Sequence, residues 1–225
     1  LDALRAAGVD VPTVVGGVHC TMVPEAVVAE GHFDVVAVGE AELAFRELVD
    51  RIERGDDVRD VPNMRFPARS RFNRNLTSID NPVGAFPDLA AIAPNDYALF
   101  DMERIIRSKN GWLGLLTSRG CPYKCTYCFN QEIVDRYVED GAAQTSKEYL
   151  RHYPVPRILE EIRSLKARHP EIEHLIFDDD LFTLDRAYVR EFSQAYKASG
   201  IGLPYVVNAH VQVFDEEMAF QLADS

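Results

Sequence analysis

Three short apolar runs in the second half of the chain, alternating with helix-period patterns, restrict the fold more than any other feature. The first, 112–117 (WLGLLT), has no polar residue before its final threonine, the composition of a strand buried on both faces. The helical pattern after it opens at Pro156, a residue suited to a first turn, and puts Ile158, Leu159, Ile162 and Leu165 on one face. The second run, 174–180 (HLIFDDD), precedes a helix that Asp185 can cap, that turns Val189, Phe192 and Tyr196 to one side, and that Gly200 can stop. The third, 205–210 (YVVNAH), leads into the start of a helix, DEEMAFQLAD. The order βαβαβα predicts a parallel α/β barrel, of which three strands fit before residue 225.

The first 54 residues are expected to fold separately. Strands near 13–16 and 34–38 flank a helix (PEAVVAEG), and the amphipathic stretch AELAFRELVDRIERG follows. That is a βαβ unit of an open, doubly wound (Rossmann-like) sheet. Gly16 and Gly17 after the first strand let backbone approach a ligand closely. Residues 55–110 read as a linker. Within it 63–75 (NMRFPARSRFNRN) holds four arginines and no acid, the makings of a small solvated hairpin, and Pro82, Pro87 and Pro94 mark an extended connector. The expected division is therefore 1–54, 55–110 and 111–225.

Composition narrows the class of function. Of 225 residues, 47% are hydrophobic and 27% charged, which excludes a disordered or fibrous chain. A net charge of −12 argues against broad nucleic-acid or anionic-membrane binding. No apolar run approaches the roughly 20 residues of a membrane-spanning helix, and the first residues lack a signal-peptide pattern, so the cytoplasm is expected. The chain starts at Leu1 and stops at Ser225 inside a helical pattern, which reads as an internal stretch of a longer protein.

Three of the four cysteines, Cys121, Cys125 and Cys128, fall in SRGCPYKCTYCFN, about a hundred residues after Cys20. Nothing suggests a secreted disulfide framework. A structural zinc site closes with four ligands, and no second CxxC or HxxxH follows. Three thiolates leave a metal coordinatively open: a catalytic zinc, or an iron–sulfur cluster with one iron available to another ligand.

The spacing C-x3-C-x2-C, with Tyr127 before the third cysteine and Thr117-Ser118-Arg119-Gly120 before the first, resembles the signature of the radical S-adenosylmethionine (SAM) enzymes. The resemblance implies a 4Fe–4S cluster on Cys121, Cys125 and Cys128, SAM on the fourth iron, Tyr127 near the adenine, and the first half of a partial TIM barrel. Residues 1–54 resemble the last part of the cobalamin-binding domain that precedes many such barrels. Gly16-Gly17 would lie along the nucleotide tail of cobalamin, Glu40 in Val38-Gly39-Glu40-Ala41-Glu42 matches the turn after that domain's last strand, and His19 is expected as a wall or loop residue. The D-x-H-x-x-G motif with the lower axial histidine does not occur in this chain.

Other residues follow from the same resemblance. Phe177 to Phe182 (FDDDLF) resembles F-x-D-D-x-F of cobalamin-linked relatives and implies Asp179 and Asp180 at the active-site rim, facing the SAM ammonium. Asp178, on the opposite face by strand alternation, is expected to matter less, and one of the three aspartates to cap a helix. Asn208 is expected at the SAM carboxylate or ribose, whereas His210 stands where relatives carry an arginine. Cys20 is expected to be a small buried residue. The implied function is methyl transfer to an unactivated centre of a small-molecule substrate, with an electron donor such as flavodoxin or ferredoxin. Cobalamin-dependent oxidative cyclisation or rearrangement is the enzymatic alternative, and a zinc-stabilised interaction module the non-enzymatic one.

Overall fold

The computed structural model describes residues 1–225, with Asp2 described by its backbone alone. The chain divides into two compact units, residues 1–87 with 123–148, and residues 88–122 with 149–225. The fold class is α/β, as the apolar runs predict.

In the first unit, helix α1 (Asp2–Ala6) leads to β1 (Val14–Val15), then α2 (Val18–Met22) and α3 (Pro24–Glu30) precede β2 (Val35–Ala37), and α4 (Glu42–Arg54) follows. Strands β1 and β2 pair in parallel, the βαβ arrangement expected of 1–54. Two further strands come from the stretch read as a linker: β3 (Met64–Phe66) and β4 (Ile79–Asp80) extend the sheet antiparallel in the order β1-β2-β3-β4. Strands β2 and β3 are buried at every position, and Val35, Leu48, Val61, Met64 and Phe66, all at 0% exposure, form the centre of this core. Each side chain so buried contributes roughly 1.5–3 kcal/mol, which is why the second half of the sheet is part of the unit and not a loose hairpin.

In the second unit α5 (Met102–Ser108) precedes β5 (Trp112–Leu115), and the parallel sheet runs β5, β8 (His174–Phe177), β9 (Tyr205–Val207). A short antiparallel ribbon, β6 (Ser118–Arg119) with β7 (Arg151–His152), follows the first strand. Helices α7 (Val155–Arg168), α8 (Arg186–Ser199) and α9 (Glu216–Ala223) cover one face. Their boundaries follow local chemistry. Asp185 accepts from the Ala187 and Tyr188 N–H groups to start α8, Gly200 ends it in the left-handed conformation, and Asp215 caps α9 through Met218. Leu113, Leu115, Leu175 and Phe177 point to the helices and share a core with Ile158, Ile162, Val189 and Phe192.

Helix α6 (Asn130–Glu139), which begins just after the third clustered cysteine, packs in the first unit: Tyr137 is fully buried, and the Asp140 carboxylate accepts the Val83 N–H at 2.8 Å. Among the described residues no helix is long and apolar enough to cross a membrane.

Candidate functional site

The register of the parallel sheet sorts its side chains into two faces. Trp112 pairs with His174, and Gly114 with Ile176, which pairs in turn with Val206, on the face away from the helices; the Asp178 N–H still donates to Leu115 O at 2.8 Å, so the ladder continues past the strand ends. At the carboxyl end of the strands that inner face carries Leu116, Asp178 and Asn208, all exposed. In parallel α/β barrels this end carries the chemistry. Gly114 leaves room for the exposed Asp178 carboxylate, whose Oδ2 would stand 2.7 Å from a Cβ at this position. A cavity of about 490 Å³ beside β5 is lined by Gly114, Leu116, Arg119 and Asp178 among others.

Asp179 faces the other way and has a different task from the one expected. Its side chain is at 0% exposure, on the face of Leu175 and Phe177. Its Oδ1 accepts the Thr117 N–H at 2.9 Å, the Thr117 hydroxyl at 3.1 Å, the Ser118 hydroxyl at 2.5 Å and the Ser118 N–H. Burial pushes this carboxyl above the usual carboxylate range, and the Ser118 and Thr117 donors pull against that shift. A carboxylate so enclosed cannot also hold the SAM ammonium. It fixes the corner between β5 and the cysteine loop instead. Asp180 is exposed, Asn208 donates through Nδ2 to Asp179 O at 2.9 Å, and the helix cap in this loop is Asp185, not one of the triplet.

The residues before the first cysteine are explained by the same corner. Thr117 and Ser118 are the donors to Asp179, the Arg119 guanidinium lies over the Tyr153 ring at 5.8 Å, and Gly120 leaves no room for a Cβ, which would overlap the Tyr149 carbonyl. From Gly120 to Phe129 the chain has no helix or strand. Cys121, Cys125 and Cys128 are half-buried in this loop without a disulfide, and the Cys128 N–H donates to Cys125 O at 3.0 Å, one tight turn. Tyr127 at the tip is 91% exposed. Among the described residues no three Cys, His, Asp or Glu side chains already stand in metal-ligand positions. The donor set nevertheless suits iron: three accessible thiols on a backbone free of regular structure, able to close on a metal as binding and local folding couple. Cys20 is 2% exposed in α2, and burial raises its thiol pKa, so it stays protonated and is a poor ligand.

The first unit has a cleft of about 660 Å³ whose walls include Gly16, Gly17, Gly39, Glu40 and Phe45. The Gly16-Gly17 pair expected at the cobalamin tail and the turn expected after the domain's last strand therefore share one depression. Gly16 approaches Ala37 so closely that a Cβ would meet its Cβ at 3.3 Å, whereas a Cβ on Gly17 meets nothing within 4 Å and faces open space. An open cradle of backbone fits an elongated ligand tail. His19 lies on α2, exposed, and is not among the cleft-lining residues.

Sequence reasoning missed Tyr137, whose hydroxyl accepts the Glu40 N–H at 2.7 Å across 97 residues. The spacing of Ile133, Val134 and Tyr137 in NQEIVDRYVE was the available signal for a buried helix face.

Residues 115–225 match the model of the radical SAM superfamily. The chain is 28% identical over 207 residues to an uncharacterized methyltransferase of Pyrococcus horikoshii, covering 92% of this chain and 41% of that protein. It is 24% identical to the cytidylyl-2-hydroxyethylphosphonate methyltransferase of Streptomyces wedmorensis, covering 95% of this chain and 42% of that one. It thus spans about two fifths of the length of these curated relatives. Among solved structures, the cobalamin-dependent SAM radical enzyme OxsB with aqua-cobalamin and S-adenosylmethionine bound superposes with a TM-score of 0.72 at 16% identity, over 99% of this chain and 31% of that one. The likeness places the chain's fold as a Rossmann-like part followed by part of a TIM-like barrel.

Proposed function

We propose that this chain, which matches the radical SAM superfamily over residues 115–225, is part of a cobalamin-dependent radical SAM enzyme that methylates an unactivated centre of a small molecule. The observation that carries the reading is the C-x3-C-x2-C loop at the carboxyl end of the first strand of a parallel sheet. Relatives described as methyltransferases support methyl transfer, and one described as an anaerobic magnesium-protoporphyrin IX monomethyl ester cyclase keeps cyclisation as the alternative. When bound, a 4Fe–4S cluster with SAM supplies a 5′-deoxyadenosyl radical, and cobalamin supplies a transferable methyl group.

Each of this chain's residues has a defined part in that reading. Cys121, Cys125 and Cys128 hold the cluster as thiolates. Tyr127 offers an exposed aromatic face to the adenine. Asp178, and Asn208 beside it, are the inner-face polar groups that reach SAM or substrate, with Asp180 at the rim. Gly114, Ile176 and Val206 line the same face without a polar side chain. Gly16, Gly17 and Glu40 border the cobalamin tail. An electron donor such as flavodoxin or ferredoxin supplies the reducing electron, which suits a reducing cytoplasm.

The cobalamin assignment is tested at Gly17. Its φ of 98° makes any side chain strained, so Gly17→Ala serves as the control for strain and Gly17→Trp fills the cleft. Titration of the full-length protein with hydroxocobalamin is expected to give near-normal affinity for Gly17→Ala and a loss of about tenfold or more, roughly 1.4 kcal/mol, for Gly17→Trp. Full affinity in Gly17→Trp would assign the cleft to another ligand.

A further inference from the structure

We infer that Tyr137 is a positioning residue that couples the glycine-walled cleft of the first unit to the cysteine loop, so that a ligand in the cleft and a cluster in the loop stabilise one another. The inference rests on the proposed cobalamin site.

The coupling elements form an unbroken series. The Thr21 hydroxyl donates to Gly17 O at 3.1 Å and accepts the Gly39 N–H at 2.9 Å, tying the two backbone walls of the cleft together. The next amide, Glu40 N–H, donates to the Tyr137 hydroxyl at 2.7 Å. Tyr137 is at 0% exposure, and its ring stacks on Phe86 with centroids 3.8 Å apart and planes inclined by 14°. The contact is tight enough to dictate sequence: a Cβ on Gly39 would stand 2.5 Å from the Tyr137 Oη. Tyr137 belongs to α6, whose first residue, Asn130, is two positions after Cys128, and the Cys128 N–H is bonded to Cys125 O.

A ten-residue helix moves as one body, so the orientation of its last turn sets that of its first. Tyr137 near its end reads the position of the 39–40 turn, and the first turn carries the segment with Cys125 and Cys128. A ligand lying along Gly16, Gly17, Gly39 and Glu40 restricts that turn, and the restriction reaches the cysteine segment through one hydroxyl and one helix. Linkage makes the effect reciprocal: if the ligand favours the cluster-ready loop by some factor, the assembled cluster tightens ligand binding by the same factor. Spatial continuity alone does not establish such coupling; a perturbation at one end must be read at the other.

The test is hydrogen–deuterium exchange on the full-length protein without iron, with methylcobalamin in the dark as the probe. In the wild type, methylcobalamin is expected to slow exchange in the cleft peptides around 12–23 and 36–48 and also in 123–140, the latter by about fivefold, the low end of typical coupling. Tyr137→Phe retains the stacking ring and removes only the hydroxyl, so cleft protection persists and the ligand-dependent change at 123–140 disappears. A purely structural role would raise exchange at 123–140 with and without ligand and leave the difference between them intact, which would overturn the inference. Protection of the cleft with no change at 123–140 in the wild type would overturn the coupling and leave the cobalamin reading standing. Protection in neither place would remove the cobalamin reading and the inference with it. Should Tyr137→Phe fail to fold, Thr21→Val breaks the same series nearer the glycines and is expected to abolish the same difference; its persistence there would equally contradict the coupling.

Discussion

Cys125→Ala will leave the full-length protein colourless after anaerobic reconstitution with iron and sulfide, with essentially no bound iron and no cleavage of SAM. Cys121→Ala and Cys128→Ala will do the same. A cluster held by three thiolates has no spare ligand, and the loop from 120 to 129 has no other cysteine to substitute. Cys20→Ala is the matched control. That thiol is buried in α2 and kept protonated by its surroundings, so its loss is expected to leave iron content unchanged. Unchanged iron in Cys125→Ala, measured per chain, would contradict the assignment.

The second large effect is on stability and falls on Asp179. Asp179→Ala orphans the Thr117 and Ser118 N–H groups together with two hydroxyls in a site closed to water. Each orphaned buried donor costs roughly 1–3 kcal/mol, and the hydroxyls can rotate to other partners while the amides cannot, so a loss of about 3–5 kcal/mol is expected in urea unfolding. Asp179→Asn retains the oxygen that receives both amides and is expected to recover most of that loss. Exposed Asp178→Ala should shift stability by no more than about 0.5 kcal/mol and instead weaken SAM binding to the iron-loaded enzyme. Wild-type stability in Asp179→Ala would show that the corner does not depend on this carboxylate.

The two aspartates mark the limit of what was legible in the sequence. The strands and helices of the second unit could be read because each carries its own boundary chemistry: the apolar run before Thr117, Pro156 in the first turn of α7, Asp185 and Gly200 at the ends of α8. The face of Asp179 was also legible in principle, since strand alternation puts it with Leu175 and Phe177 on the side toward the helices. Placing it at the rim followed the resemblance over the alternation. The burial of β3 and its place in the first unit's sheet were hidden because Arg65 sits at its centre, a residue that argues against a buried strand until its partner is known. That partner, Glu25 at 2.8 Å, is 40 residues away on α3. Helix α6 has a readable apolar face, but nothing local says that it packs in the first unit; that depends on Phe86 and on the Glu40 amide. The glycine turns at 16–17 and 39–40 were identified from the sequence, and their convergence on one cleft required the parallel pairing of β1 with β2.

The most direct measurement of the central claim, an iron–sulfur cluster with one iron open to SAM, is electron paramagnetic resonance of the anaerobically reconstituted, dithionite-reduced full-length protein, recorded with and without SAM. The account predicts a brown protein, the signal of a reduced 4Fe–4S cluster, and a change in that signal when SAM is added, because SAM reaches the iron that Cys121, Cys125 and Cys128 leave open. A colourless protein with stoichiometric zinc, no signal, and no response to SAM would contradict it and make the three cysteines a structural metal knot.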